Sequence, residues 1–249
     1  MDLGIGGRRA AVAAASKGLG FGVAQALVEE GVRVAICSRN WEAVDAAAKR
    51  LGGDTVGIVA DVATPDGAAT FVRDASDAIG ELDILVTNAG GPPSGDWEHT
   101  GVHQYVEAFQ LNCQSAIAMC DEAVPVMRAQ KWGRVVAITS IAVRQPIANL
   151  ILSNTARAGL TGFLKTLARE VAADGVTVNS LQPGLHETER VAGLYGDASS
   201  TNLAAGIPSG RLGDPQEFGR FAAFLCSEHA GYITGTSTPV DGGAYAGLL

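Results

Sequence analysis

The run Ala13-Ala14-Ala15-Ser16-Lys17-Gly18-Leu19-Gly20 stands between an apolar stretch and a helical one. Glycines at such a place let the backbone pass close to a pyrophosphate, and the free N–H groups of a helix start bind its charge. Gly18 and Gly20 by themselves would serve a tight turn equally well. Their place at the head of an alternating strand and helix pattern favours a phosphorylated ligand. The next apolar run closes on Cys37-Ser38-Arg39-Asn40 and lacks the carboxylate that would accept from a ribose 2′-hydroxyl. Arg39 offers a planar fork suited to a 2′-phosphate, and Lys17 adds a second cation. Together they point to NADP(H); the plainer reading is a pair of solvated surface charges.

The elements that must position these residues follow from hydrophobic patterning. Strands are expected over 10–15, 32–38, 56–60, 82–87, 134–139, 176–181 and Ser237–Val240. Helices are expected over 20–30, 41–51, from Thr64 to Gly80, over 101–130 and 150–173, and from Asp214-Pro215 onward. Thr64 reads as an N-cap with Pro65 in the first helical position. Gly31, Gly80 and Gly175 read as helix stops. The first strands are nearly continuous in apolar character, as when both faces of a sheet are covered. Alternation with short connections predicts one α/β domain over residues 1–249, a Rossmann-like, doubly wound parallel sheet flanked by helices. The stretch 185–213 is rich in Gly, Ala and Ser and is expected to be a small substrate lid.

Composition narrows the function classes. The chain has 249 residues, of which 47% are hydrophobic and 18% charged, with mean hydropathy +0.18. That is enough to bury a full core and excludes a disordered chain. No apolar run reaches the roughly 18 residues of a membrane span, and the start is too weakly apolar for a signal peptide. A net charge of −8 without a basic cluster argues against nucleic acid or an anionic membrane as partner. Cys37, Cys113, Cys120 and Cys226 lack zinc or CxxC spacing and lie in apolar segments, so reduced, buried thiols in a cytoplasmic protein are expected. His99, His103 and His229 have no ligand spacing, and no metal is expected.

Further motifs fall in order along the chain: Asp61-Val62, Asn88-Ala89-Gly90, Asn112, Ser140, Pro183-Gly184, Thr188, the stretch 207–213 and Val240-Asp241-Gly242-Gly243. With the loop at 13–20 they resemble the short-chain dehydrogenase/reductase family over essentially the whole chain, in its 3-oxoacyl-acyl-carrier-protein reductase branch. The resemblance implies that Ser16, Lys17, Gly18, Leu19, Gly20, Arg39, Asp61, Val62, Asn88, Ala89, Gly90, Pro183, Gly184 and Thr188 bind the cofactor. It places Asn112 and Ser140 in the catalytic machinery. It also implies a homotetramer built on the helices at 101–130 and 150–173 and on the last strand, and the apolar tail at 244–249 suits burial against a partner. His186 is expected to serve the nicotinamide site through its backbone rather than as an acid. The residues also have blander explanations: Ser140 as a turn cap, Asn112 as a local kink, Ser153 as a remnant, and Arg157 as half of an internal ion pair.

Two departures from the family matter. Its Thr-Gly opening is Ala13-Ala14 here, which adds a methyl where glycine leaves room. Its Tyr, thirteen positions after the catalytic Ser, and its Lys, four further on, are Ser153 and Arg157. Positions 153 and 157 share one helix face, so the geometry is kept, but a serine hydroxyl is a poor acid and arginine relays no proton. General acid catalysis contributes ~10²–10⁴-fold, whereas whole enzymes reach ~10⁶-fold or more, so a slower reductase survives the loss. Arg157 would still bind ribose hydroxyls and stabilise an oxyanion. Water held by Ser153, His186, or Tyr195 in the lid would be the replacement acid. The sequence therefore predicts an NADP(H)-dependent oxidoreductase, with Asn112, Ser140, Ser153 and Arg157 at its centre, acting on a small or acyl-type carbonyl substrate. The competing readings are an NADP-binding protein with weak or no turnover, and a non-redox enzyme of the dehalogenase or lyase type on the same scaffold.

Overall fold

The computed structural model describes residues 1–196 and 200–248; residues 197–199 of the expected lid and Leu249 of the expected tail lie outside them. Seven strands form one sheet: β1 (Arg9–Val12), β2 (Arg33–Ser38), β3 (Val56–Val59), β4 (Ile84–Thr87), β5 (Gly133–Ile138), β6 (Val176–Pro183) and β7 (Ser237–Val240). Their order is β3-β2-β1-β4-β5-β6-β7, and every pairing is parallel. The order reverses between β1 and β4, which opens a crevice at their carboxyl ends, the place where such sheets take ligands.

Helices cover both faces. One face carries α1 (Gly18–Glu29), α2 (Trp41–Leu51) and α9 (Pro215–Leu225), and the other α3 (Pro65–Ile79), α5 (Ser115–Ala129) and α6 (Ile151–Val171). The core divides accordingly, with Phe71, Met119 and Leu164 on the second face and Leu27, Ile36 and Phe218 on the first. Helix α1 packs on α9 at backbone contact: a Cβ on Gly22 would lie 2.2 Å from Pro215 O. The α3 boundaries are those predicted, with Thr64 Oγ1 accepting from Gly67 N and Gly80 closing the helix. Asp214 caps α9 ahead of Pro215.

Two elements differ from the expectation. Strand β1 ends at Val12 rather than at 15, because the chain turns at Ala14, whose φ is +48°. The long helix at 101–130 is α4 (Val102–Phe109) and α5 joined by a π-helical segment, Gln110–Gln114. Within the stretch 185–213, Thr188 caps α7 (Glu189–Tyr195), and α8 (Ser200–Ala204) follows the undescribed residues. No helix among the described residues is long and apolar enough to cross a membrane.

Candidate active site

The site lies over the crevice and is built from the loops that follow β1, β2, β4, β5 and β6. After β1 the chain is fixed by Ala13 N to Val86 O (3.0 Å) and Ala15 N to Cys37 O (3.1 Å). Ala14 sits between them in the left-handed region, its N–H pointed at the buried Cys37 sulfur at 3.3 Å. Glycine enters that region freely and alanine at a cost, so the departure noted at Ala14 is a point of strain. Asn88, leaving β4, donates Nδ2 to Ala13 O and Ala14 O, both at 3.2 Å, and so ties the two sides of the crevice together. A Cβ on Gly20 would meet Ala14 O and Asn88 Nδ2, each at 2.9 Å.

Helix α1 opens without a side-chain cap and without an acid in its first turn, whereas Asn40, Thr64, Thr188 and Asp214 cap α2, α3, α7 and α9. The first-turn N–H groups of α1 are therefore left for an anion. Ser16 and Leu19 are half-buried beside them. At the end of β2, Arg39 is exposed and makes no ion pair among the described residues. Lys17 is different: its Nζ is paired with Glu189 at the start of α7. Asp61 holds its own loop by accepting from Ala63 N at 3.0 Å, and Val62 is buried behind it. Gly90 borders open space, with nothing near where a Cβ would lie. Pro183 ends β6, and Gly184 N donates to Val240 O at 3.0 Å.

Of the expected catalytic residues, Asn112, Ser153 and Arg157 lie together, and Ser140 follows Thr139, whose carbonyl Arg157 holds. The π-helical segment turns Asn112 inward, where Nδ2 donates to Gly90 O at 2.9 Å and the buried Oδ1 finds no partner. Asn112 lines a small cavity with Thr87, Asn88, Ser115 and Arg157, about 10 Å³ measured to a water centre, the room of a single water. Ser140 caps the short helical turn after β5, its Oγ accepting from Ala142 N at 3.1 Å; the hydroxyl hydrogen is not consumed by that contact. Ser153 and Arg157 are both buried on α6. Arg157 Nε donates to Ser153 Oγ at 3.2 Å, and Nη1 donates to Ile138 O (3.2 Å) and Thr139 O (3.1 Å). Nη2 has no partner among the described residues, and Arg157 lines the same small cavity as Asn112. The internal ion pair considered for Arg157 is absent: no carboxylate among the described residues bonds it. Burial, and next the like charge of Arg190, pull its pKa down to about 10, so it remains a cation at neutral pH.

His186 is packed, not presented. Its ring meets Phe218 edge-on at 5.3 Å between centroids, with Nδ1 at 3.2 Å from Gly184 O. Burial lowers its pKa below the ordinary 6.5. Tyr195, at the end of α7, is partly exposed.

Gly91, Glu189 and Arg190 are additions that the sequence pattern does not mark. Arg190 Nη2 donates to Pro92 O at 2.9 Å, and its guanidinium lies where a Cβ on Gly91 would stand, 2.5 Å from Nη2. Residues 188–190 thus strap the crevice, Glu189 to the loop after β1 and Arg190 to the loop after β4. A cation at the start of an expected lid was the available signal, but its partner lies 98 residues away in sequence.

A family model described as enoyl-(acyl carrier protein) reductase matches residues 13–245. The 3-oxoacyl-acyl-carrier-protein reductase FabG of Vibrio cholerae is 32% identical over 96% of this chain and 98% of its own. The chain belongs to the short-chain dehydrogenase/reductase family. Solved structures similar to this member include the L-sorbose reductase of Gluconobacter frateurii complexed with NADPH and L-sorbose, with TM-score 0.93, 31% identity and both chains fully covered. The RhlG/NADP complex from Pseudomonas aeruginosa gives 0.90 at 31% identity over 98% of each chain.

Proposed function

We propose that this protein is an NADP(H)-dependent oxidoreductase that interconverts a carbonyl, a small ketone or a 3-oxoacyl-like group, with a secondary alcohol. The observation that carries this reading is the uncapped start of α1 under an open glycine loop, beside an unpaired Arg39 at the end of β2. The residues fit the group: the N–H groups of α1 would hold the pyrophosphate, Arg39 and Lys17 the 2′-phosphate, and Asp61 with Val62 the adenine. Asn88, Ala89, Gly90, Pro183, Gly184, His186 through its backbone, and Thr188 would wall the nicotinamide half. NADP(H)-complexed relatives of the same fold support it.

When bound, the cofactor supplies a hydride. The chain's own residues would orient the carbonyl and neutralise its oxygen. Because Arg157 Nε already donates to Ser153 Oγ, the Ser153 O–H is turned outward as a donor. Ser140 offers a second O–H. Ser153 would hand on a proton from held water in place of a phenol, and Arg157 Nη2 would donate to ribose hydroxyls or to developing charge. Asn112 would hold the water behind Arg157. One observation favours a second reading, NADP binding with little turnover: two bonds of Arg157 Nη1 go to backbone carbonyls of the β5 end. Residues 1–249 would work as one dinucleotide-binding and catalytic unit in the cytoplasm, assembled as a homotetramer; the exposed Val102 and Val106 on α4 support a partner there.

Calorimetric titration tests the cofactor. NADPH is expected to bind more tightly than NADH, and Arg39→Ala to erase a preference of about tenfold or more, the worth of a charge-assisted contact. Equal affinities in the unaltered protein would refute the assignment.

A further inference from the structure

We propose that the pocket over Arg157 and Arg190 takes a substrate bearing a carboxylate, and that Arg190 determines that specificity. This rests on the reading above and names its substrate class.

The argument is one of uncompensated charge. Arg157 is 8% exposed, and its contacts are a hydroxyl and two carbonyls, none of them anionic. A charge removed from water without a counter-ion is costly, and a second like charge adds to the cost. Arg190 is that second charge. It lies over Gly91, adjoining Gly90, whose carbonyl holds Asn112, which lines the same cavity as Arg157. The two guanidinium groups thus flank one stretch of the β4 loop. Its own contact is a single carbonyl, Pro92 O, and most of its donors remain free. The acid before it in sequence is engaged elsewhere: Glu189 pairs with Lys17. Guanidinium donors in a planar fork match a carboxylate. A neutral ketone would leave the buried charge of Arg157 unanswered; an oxo acid would answer it, with Arg190 as a second donor, while presenting its carbonyl to Ser140 and Ser153.

The same oxyanion chemistry is available from cofactor phosphates, so the test separates the two sources. The protein saturated with NADP⁺, which cannot reduce a ketone, is titrated with acetoacetate and with methyl acetoacetate, and the same is done with Arg190→Gln and Arg190→Lys. The acid is expected to bind about tenfold more tightly than the ester, one charge-assisted hydrogen bond's worth. Arg190→Gln removes most of that difference and leaves NADP⁺ and the ester bound as before; Arg190→Lys restores part of it. Arg190 is exposed, so neither substitution disturbs the core. Equal binding of acid and ester to the NADP⁺ complex overturns the inference alone. So does acetoacetate that displaces NADP⁺, since it then fills a phosphate seat. A protein that takes up no NADP⁺ overturns the inference together with the cofactor reading beneath it.

Discussion

The two ends of the sheet treat arginine in opposite ways. At the amino ends of the strands, Arg8 and Arg9 both reach the buried Asp83, at 3.2 and 2.9 Å. Arg8 also pairs with Glu228 at 3.1 Å and stacks 3.8 Å from the Trp132 ring centre. Arg134, 3% exposed, lies 4.3 Å from the centre of the same ring and donates to Ser227 O, Gly133 O and Gly175 O. Burial lowers its pKa, Glu228 opposes that shift, and the like charge of Arg8 adds a smaller push the same way as burial. At the carboxyl ends, Arg157 is equally enclosed and equally fed by carbonyls, yet the charge acting on it is another arginine. Burial and hydrogen bonding alone do not separate the two arginines. The acid beside Arg134, which Arg157 lacks among the described residues, does.

The contrast can be sharpened or broken by substitution. The largest effect is expected from restoring the family's pair: Ser153→Tyr with Arg157→Lys should raise single-turnover hydride transfer by about 10²–10⁴-fold, the usual worth of a general acid. An unchanged rate would mean that the rest of the site is not poised for the reaction. Next, Arg134→Met should cost about 3 kcal/mol in denaturant unfolding, through stranded carbonyls and a lost ring contact. Arg157→Met should cost clearly less, because the carbonyls it strands are offset by the deletion of an uncompensated charge. Equal losses would erase the distinction between the two ends. Ala14→Gly should stabilise by about 0.5–1 kcal/mol, the relief of a left-handed alanine less the added freedom of the unfolded chain, read as a rise in melting temperature. The smallest effect is a pH dependence. His186 has a lowered pKa from burial, so the unfolded chain takes up a proton that the folded one refuses. Its contribution is intact above the ordinary value of 6.5 and is lost as pH falls below it. His186→Asn should flatten the stability profile in that acid range.

What could be read in the sequence was local. Thr64-Pro65 and Asp214-Pro215 mark α3 and α9 because a cap and a fixed φ act within one turn. The apolar strands gave away a sheet covered on both faces because periodicity needs no partner. The loop at 13–20 and the face shared by positions 153 and 157 were visible for the same reason. The π-helical segment at Gln110–Gln114 was not, since nothing in its composition separates it from the helix on either side; it yields to the packing of Asn112 under Gly90. The strap at 188–190 escaped because its meaning lies in Lys17 and Pro92, far along the chain. That Arg157 meets no counter-ion among the described residues is a property of the assembled fold, and no spacing encodes it.

The Lys17–Glu189 contact has a consequence for how the proposed cofactor would arrive. A 2′-phosphate that claims Lys17 must first evict a carboxylate, so one ion pair is exchanged for another and few new ones are created. Screening by dissolved ions weakens the pair that is lost along with the pair that is gained. NADPH capture by this protein would therefore depend on ionic strength less steeply than its two cations suggest.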